Sequence, residues 1–220
     1  MEQETQILVI EDDKIHAERI VNLLKDMGMK HFYAESAEDA LTISISNRID
    51  LFIIDVSLPG VSGFTFTRKI REQTNAPVIF MGDINNESCK VYGFCVGADD
   101  YIVKPFGMLE LSCRIKAVLK RCHTNKTLKA ETFTLNHANH SVETSEKTIK
   151  LTPIEFDLLF KLVKADGNPI SYTNLIRSVW GSDSLATKHA LKERMRSLRQ
   201  KIGKKHIQNT YGEGYYFVLN

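Results

Sequence analysis

The 220 residues, 43% hydrophobic and 25% charged, have the composition of a folded, water-soluble chain with room for one large domain or two small ones. No apolar run reaches the ~18 residues needed to cross a bilayer, and the opening MEQETQILVI has neither the positive start nor the long apolar stretch of a secretory leader, so a cytoplasmic location and no membrane partner are expected. The net charge of +2 conceals a division: residues 1–120 carry 13 Lys and Arg against 18 Asp and Glu (net −5), and residues 121–220 carry 16 against 9 (net +7), so only the second half is drawn to polyanions.

The first half alternates strand-like and helix-like patterns, the mark of a parallel sheet flanked by helices. QILVIED is a continuous apolar run; Ile15, Ile20, Leu23, Leu24 and Met27 then recur at helical spacing after Asp13, and Gly28 follows as a stop. HFYAES is a short strand, and SAED opens a helix with Ser36 as N-cap and Asp39 three residues on. IDLFIIDV is apolar almost without a break, as suits a central strand buried on both faces. After the loop SLPGVSG, helices around residues 64–73, 87–96 and 106–121 alternate with the strands APVIFM and DDYIV. Five β/α units predict a flavodoxin-like, doubly wound, five-stranded parallel α/β domain.

A polar, basic piece, RCHTNKTLK, is read as connecting chain that extends helix five, and ETFTLNHANHSVETSEKTIKL as a small antiparallel sheet. LTPIEFDLLFKLVKA starts a helix with Thr152 as N-cap, Pro153 at the first position and Glu155 completing a capping box. Further helices are predicted over residues 172–180, after Ser171, and over residues 185–202; IQNTYGEGYYFVLN ends as a hairpin turning at Gly212 and Gly214. The four cysteines, Cys89, Cys95, Cys113 and Cys122, show no paired spacing and are expected as reduced thiols.

In an open parallel sheet, ligands bind where strands end at their carboxyl edge. Here those ends carry Glu11-Asp12-Asp13, Asp55 and Lys104-Pro105. Gathered carboxylates repel one another unless protonated or metallated, and hard oxygen ligands suit Mg2+. Lys104 then offers a point charge to an anion, and Asp55 is the candidate nucleophile for a phosphoryl group. Taken singly, EDD reads equally as a solvated helix cap and KPF as a strand terminator.

Together, ILVIEDD, LFIIDVSLPGVSGF and GADDYIVKPF resemble the receiver domain of bacterial two-component response regulators over nearly all of residues 5–121. The resemblance implies Glu11 and Asp12 as the metal-binding acidic pair and Asp55 as phosphoacceptor. Ser57 would offer a backbone carbonyl to Mg2+, Lys104 would contact the phosphoryl group, and Tyr101 would be the switch aromatic. It also implies a cis Lys104-Pro105 bond and a sensor histidine kinase as partner. Typical receivers end the fourth strand in Thr or Ser and then a small residue, the hydroxyl binding the phosphoryl oxygen. Here those places hold Gly82 and Asp83. Three readings stand: Asp83 points to solvent and switching is weakened; the receiver is poorly phosphorylated and serves mainly to dimerise; or Asp83 joins the metal site.

Leu191, Met195, Leu198 and Ile202 form one apolar helix face, while Lys188, Lys192, Arg194, Arg196, Arg199 and Lys201 make the other faces basic, with Lys204 and Lys205 following. Such a run is either a solvated face or a helix for the DNA major groove. LTPIEFDLL, SYTNLIRSVWG, RMRSLRQKI and YGEGYYF resemble the winged helix-turn-helix effector domain of the OmpR/PhoB subfamily over residues 127–219. Helical spacing puts Lys188, Lys192, Arg196 and Arg199 along one flank away from the apolar stripe, as the expected DNA contacts. The resemblance implies double-stranded DNA and RNA polymerase as partners and sets Arg196 and Arg199 at the recognition helix's recurrent arginines, with Tyr211 standing where the wing often carries Arg. It also implies a homodimer through the receiver, with Lys90, Asp100, Glu110 and Arg114 in charged pairs between protomers. Cys95 stands where an acidic partner of Lys116 is often found.

The expectation is a transcriptional response regulator with a receiver over residues 1–121, a linker over 122–126 and an α+β winged-helix domain over 127–220. Its phosphorylated Asp55 would control dimerisation and promoter binding. The alternatives are a receiver that dimerises and binds DNA largely without phosphorylation, and an aspartate-nucleophile phosphohydrolase, for which the second carboxylate after Asp55 is missing.

Overall fold

The computed structural model describes residues 4–83, 87–122, 127–130, 133–137, 139–144, 147–181, 187–210 and 212–218. The chain divides into two units, Met1–Leu119 and Lys120–Asn220. Tyr211 and residues 123–126 of the expected linker lie outside the described residues, as does the expected start of the last helix at Leu185.

In the first unit β1 (Gln6–Ile10), β2 (Lys30–Ala34), β3 (Leu51–Asp55), β4 (Val78–Asp83) and β5 (Asp100–Lys104) form one parallel sheet in the order β2-β1-β3-β4-β5. Between them run α1 (Lys14–Asp26), α2 (Ala37–Ser46), α3 (Gly63–Ile70) and α4 (Glu87–Val96), and α5 (Met108–Cys122) follows. The strand period of two sorts the apolar side chains onto opposite faces. Ile7, Val9, Ile53, Ile79, Met81 and Ile102 pack with Ile20 and Leu24 of α1 and Leu111 and Ile115 of α5. Phe52 and Phe80 point the other way and meet Phe66 and Phe64 of α3 edge to face, at 6.2 and 5.0 Å. Every residue of β3 is buried, which is why its sequence reads as an unbroken apolar run. The caps are as local chemistry dictates: Asp13 accepts from the amides of Ile15 and His16, and Ser36 from that of Asp39.

The second unit opens on a four-stranded antiparallel sheet, β6 (Thr127–Ala130), β7 (Phe133–Asn136), β8 (Ser141–Thr144) and β9 (Thr148–Lys150). Residues 127–129, the end of the piece read from sequence as connecting chain, are part of the strand Thr127–Ala130 because it pairs with β7 from Thr127↔Asn136 to Ala130↔Phe133; four residues of mixed polarity carry no period of their own. The helices α6 (Pro153–Lys164), α7 (Tyr172–Trp180) and α8 (Lys188–Ile202) follow, then the hairpin β10 (Ile207–Thr210) and β11 (Gly214–Phe217). Leu158, Leu159 and Leu162 of α6, Leu175 and Val179 of α7, and Leu191, Met195 and Leu198 of α8 share one core with Leu135, Val142, Ile207 and Phe217. Trp180, the chain's single tryptophan, packs against that core partly buried. The Thr152–Glu155 capping box is complete. Cys89, Cys95 and Cys113 are free thiols. Among the described residues no helix is long and apolar enough to cross a membrane.

Ile53 is fully buried at the centre of the parallel sheet. Ile53→Ala is expected to cost about 2–5 kcal/mol through lost contacts and the cavity left behind. Urea unfolding followed by far-ultraviolet circular dichroism checks this, an unmoved first-unit midpoint being the contrary result.

Candidate functional site

The parallel topology brings three strand ends together. Glu11 follows β1, Asp55 ends β3 and Lys104 ends β5. Lys104 Nζ donates to Asp55 Oδ2 at 2.6 Å and to Glu11 Oε2 at 2.8 Å. Glu11 and Asp55 are buried and Asp12 is exposed, yet carboxylate oxygens of all three lie within 4.8 Å of one another. Asp83 is not part of this cluster; it is exposed, with its backbone in register with that of Lys104.

Burial, reinforced by the charge of Asp55, raises the Glu11 carboxyl above its ordinary range against the opposing pull of Lys104 and His16. Burial would lower the Lys104 ammonium, but its bonds to Asp55 and Glu11 outweigh that and hold it above its usual value. Lys104 is therefore a fixed cation. His16 Nδ1 lies 2.6 Å from Glu11 Oε2 and its ring packs on Phe106. The sequence reading gave His16 no role, although its place one turn into the helix that leaves the acidic loop could have drawn attention. The amide of Ser57 donates to Asp55 Oδ1 at 2.9 Å, so the loop after β3 grips the carboxylate from its own backbone. Gly63 allows α3 to start against that loop, since a β-carbon there would overlap the Asp55 carbonyl. The Lys104-Pro105 bond is cis.

Tyr101 is buried, its ring lying beside Phe80 and Gly93. Its hydroxyl occupies the space that a β-carbon on residue 82 would need. The glycine thus does more than omit a hydroxyl: it makes room for the tyrosine. Burial, with the charges of Cys89, Asp55 and Asp83, pushes the Tyr101 phenol up to about 12.

On the α4, β5 and α5 side, Arg114 donates to both oxygens of Asp100 at 3.0 Å and to Glu110 at 2.9 Å within the chain. Lys90 is carried by α4.

In the second unit Lys188, Lys192 and Arg196 of α8 are exposed and Arg199 is partly so. Lys188 Nζ lies 5.6 Å from the centre of the Tyr172 ring, and Arg196 is 3.6 Å from Glu193. Two other cations of this helix are not on its outer faces, which corrects the sequence reading. Arg194 is only 4% exposed. Lys201 Nζ bonds Glu155 Oε2 at 2.7 Å, and Ser197 Oγ bonds Glu155 Oε1 at 2.6 Å. Burial would raise the Glu155 carboxyl, but Lys201 and Arg194 overcome it and hold the group below its ordinary value. Sequence reasoning assigned Glu155 only its cap.

Residues 7–116 match the family model for the response regulator receiver domain, and residues 146–217 the model for the C-terminal part of transcriptional regulatory proteins. The KDP operon transcriptional regulatory protein KdpE of Escherichia coli is 33% identical over 225 residues, covering 98% of this chain and 100% of the relative. A solved structure of a RitR mutant covers 98% of this chain and 100% of its own, with a TM-score of 0.75 at 22% identity. The Thermotoga maritima response regulator DrrB, an OmpR/PhoB homolog, covers 98% and 100%, with a TM-score of 0.53 at 24% identity. These two structural likenesses are likenesses of fold.

The overlap at residue 82 gives a double-mutant test. Gly82→Ala is expected to destabilise the first unit by about 1–3 kcal/mol, because the methyl collides with the Tyr101 hydroxyl. In a Tyr101→Phe background most of that cost should vanish. Equal costs in both backgrounds, measured by urea unfolding, would show that the tyrosine does not fill that space.

Proposed function

The chain belongs to the OmpR/PhoB-type response regulators of two-component systems, which are DNA-binding transcription regulators, and on that premise we propose that Asp55 accepts a phosphoryl group and that α8 reads DNA. Regulators of this type bind DNA and are phosphorylated by sensor kinases. The observation that carries the proposal is the Lys104 ammonium bonded to Asp55 at 2.6 Å, a fixed cation beside a buried carboxylate at the edge where an α/β sheet binds ligands.

One oxygen of Asp55 attacks phosphorus, the bond from phosphorus to the kinase histidine nitrogen breaks, and that nitrogen keeps the electron pair. An acyl phosphate results. Lys104 offsets charge on the phosphoryl oxygens, and the amide of Ser57 holds Asp55 in place. The hard oxygens of Glu11, Asp12 and Asp55, one of them exposed to water, fit Mg2+, with the Ser57 carbonyl as a further donor. Bound there, Mg2+ supplies positive charge against the phosphoryl oxygens. Asp55 is followed by Val56 and Ser57, with no second acid beside it, and its role is stoichiometric rather than that of a turning-over nucleophile.

The signal passes through Tyr101 to a homodimer face on α4, β5 and α5, with reduced strength because Gly82 brings no hydroxyl to the phosphoryl group. Arg114, Asp100 and Glu110 exchange their bonds within the chain for bonds across the dimer, joined by Lys90. Such an exchange of exposed ion pairs contributes little net energy. Tyr92 and Leu109, large apolar residues exposed on α4 and α5, supply apolar area. The dimer, in the cytoplasm, sets Lys188, Lys192, Arg196 and Arg199 of each copy, with Tyr211 of the wing, on double-stranded DNA and presents itself to RNA polymerase.

Incubation with acetyl phosphate and Mg2+ is expected to add one phosphoryl group to the wild type and none to Asp55→Asn, read by intact mass. A wild type that gains no phosphate overturns the phosphoacceptor role and leaves DNA binding standing. Replacing Arg196 and Arg199 together by Ala should abolish specific promoter binding. It should also reduce the salt dependence of residual binding by about two units of slope, as expected for two lost phosphate contacts. Unchanged footprints would move the DNA contact to another element.

A further inference from the structure

On the reading that α8 is the DNA-reading helix, we infer that Glu155 is its positioning residue: a single buried carboxylate, clamping Ser197 and Lys201, sets which face of α8 is offered to DNA and withdraws Lys201 from the phosphate-binding set.

Glu155 sits in the first turn of α6, 1% exposed. Its Oε2 accepts from the amide of Thr152 at 2.9 Å and from Lys201 Nζ at 2.7 Å, and its Oε1 accepts from Ser197 Oγ at 2.6 Å. Arg194, buried on the same helix, adds attraction at longer range. One cap bond would satisfy the end of α6; the remaining bonds all go to α8. A buried carboxylate stripped of its partners is strongly destabilised, so this arrangement disfavours any turn of α8 that separates Ser197 and Lys201 from Glu155.

The direction of the clamp follows from helical geometry. At about 100° per residue, Arg194, Ser197 and Lys201 fall on one stripe, and Lys188, Lys192, Arg196 and Arg199 on another roughly 180° away. Leu191, Met195, Leu198 and Ile202 lie between them on one side and share the core. An apolar stripe alone tolerates small rotations and sliding, because dispersion and burial have no direction. Charge-assisted hydrogen bonds do have one. Glu155 therefore acts on DNA from the far side of the helix, and two of the six cations that make α8 basic face away from the nucleic acid.

The test compares the full chain on two duplexes, the sequence that the wild type enriches from a random library and a scrambled duplex of equal length. Glu155→Gln keeps the shape and removes the charge. It is expected to lose at least ~10-fold in affinity for the enriched duplex while binding the scrambled one as well as the wild type does, since its net charge is more positive. A fold that merely weakened would lose both together, and that result overturns the inference, as does an unchanged ratio. Should Glu155→Gln fail to fold, Ser197→Ala removes only the bond to Oε1. It should lower the ratio of the two affinities about threefold, and an unaltered ratio there sinks the inference equally. The variant lacking Arg196 and Arg199 is run beside them: if it still binds the enriched duplex, the assignment of α8 fails. If it loses binding while the Glu155 and Ser197 variants keep their discrimination, only the positioning role fails.

Discussion

Like charges forced together govern the first unit. A doubly wound sheet delivers the ends of β1, β3 and β5 to one edge, and in this sequence two of those ends are carboxylates that the fold buries. Buried side by side without compensation, Glu11 and Asp55 would take up protons or push the strand ends apart. Lys104 prevents both by bonding to each. The same cation that lets the strands end where they do sits at the carboxyl edge of the sheet, where open α/β sheets bind ligands, so the stability of that edge and the charge of the site rest on one contact. The grip of Ser57 on Asp55 and of His16 on Glu11 surrounds that contact and leaves Asp12 open to water.

Much of this was legible because it obeys one-dimensional rules. Strand ends at the carboxyl edge of a parallel sheet follow from the order of apolar runs, which is why Glu11, Asp55 and Lys104 could be brought together on paper. The Thr152–Glu155 box and the cap at Ser36 depend on residues three apart, and the apolar stripe of α8 on period alone. What escaped depended on partners far along the chain or on shape. Lys201 reads as a surface cation until Glu155, 46 residues earlier, is placed beneath it. Thr127–Ala130 becomes a strand only when β7 supplies the pairing. Gly82 reads as a missing hydroxyl, whereas the structure makes it the space that a neighbouring phenol fills.

The two units solve opposite electrostatic problems. The first gathers carboxylates around the cation of Lys104; the second spreads positive charge over α8 and sets the buried anion of Glu155 against it. In each, the minority charge bonds directionally to the groups around it: Lys104 to Glu11 and Asp55, Glu155 to Ser197 and Lys201.

Trp180 lies in the second unit, against the core that α8 shares, and no tryptophan occurs anywhere else in the chain. Its emission therefore reports on the packing of that core. The chain thus carries, in one of its two units alone, a built-in signal for the unfolding of that unit, and needs no label to report it.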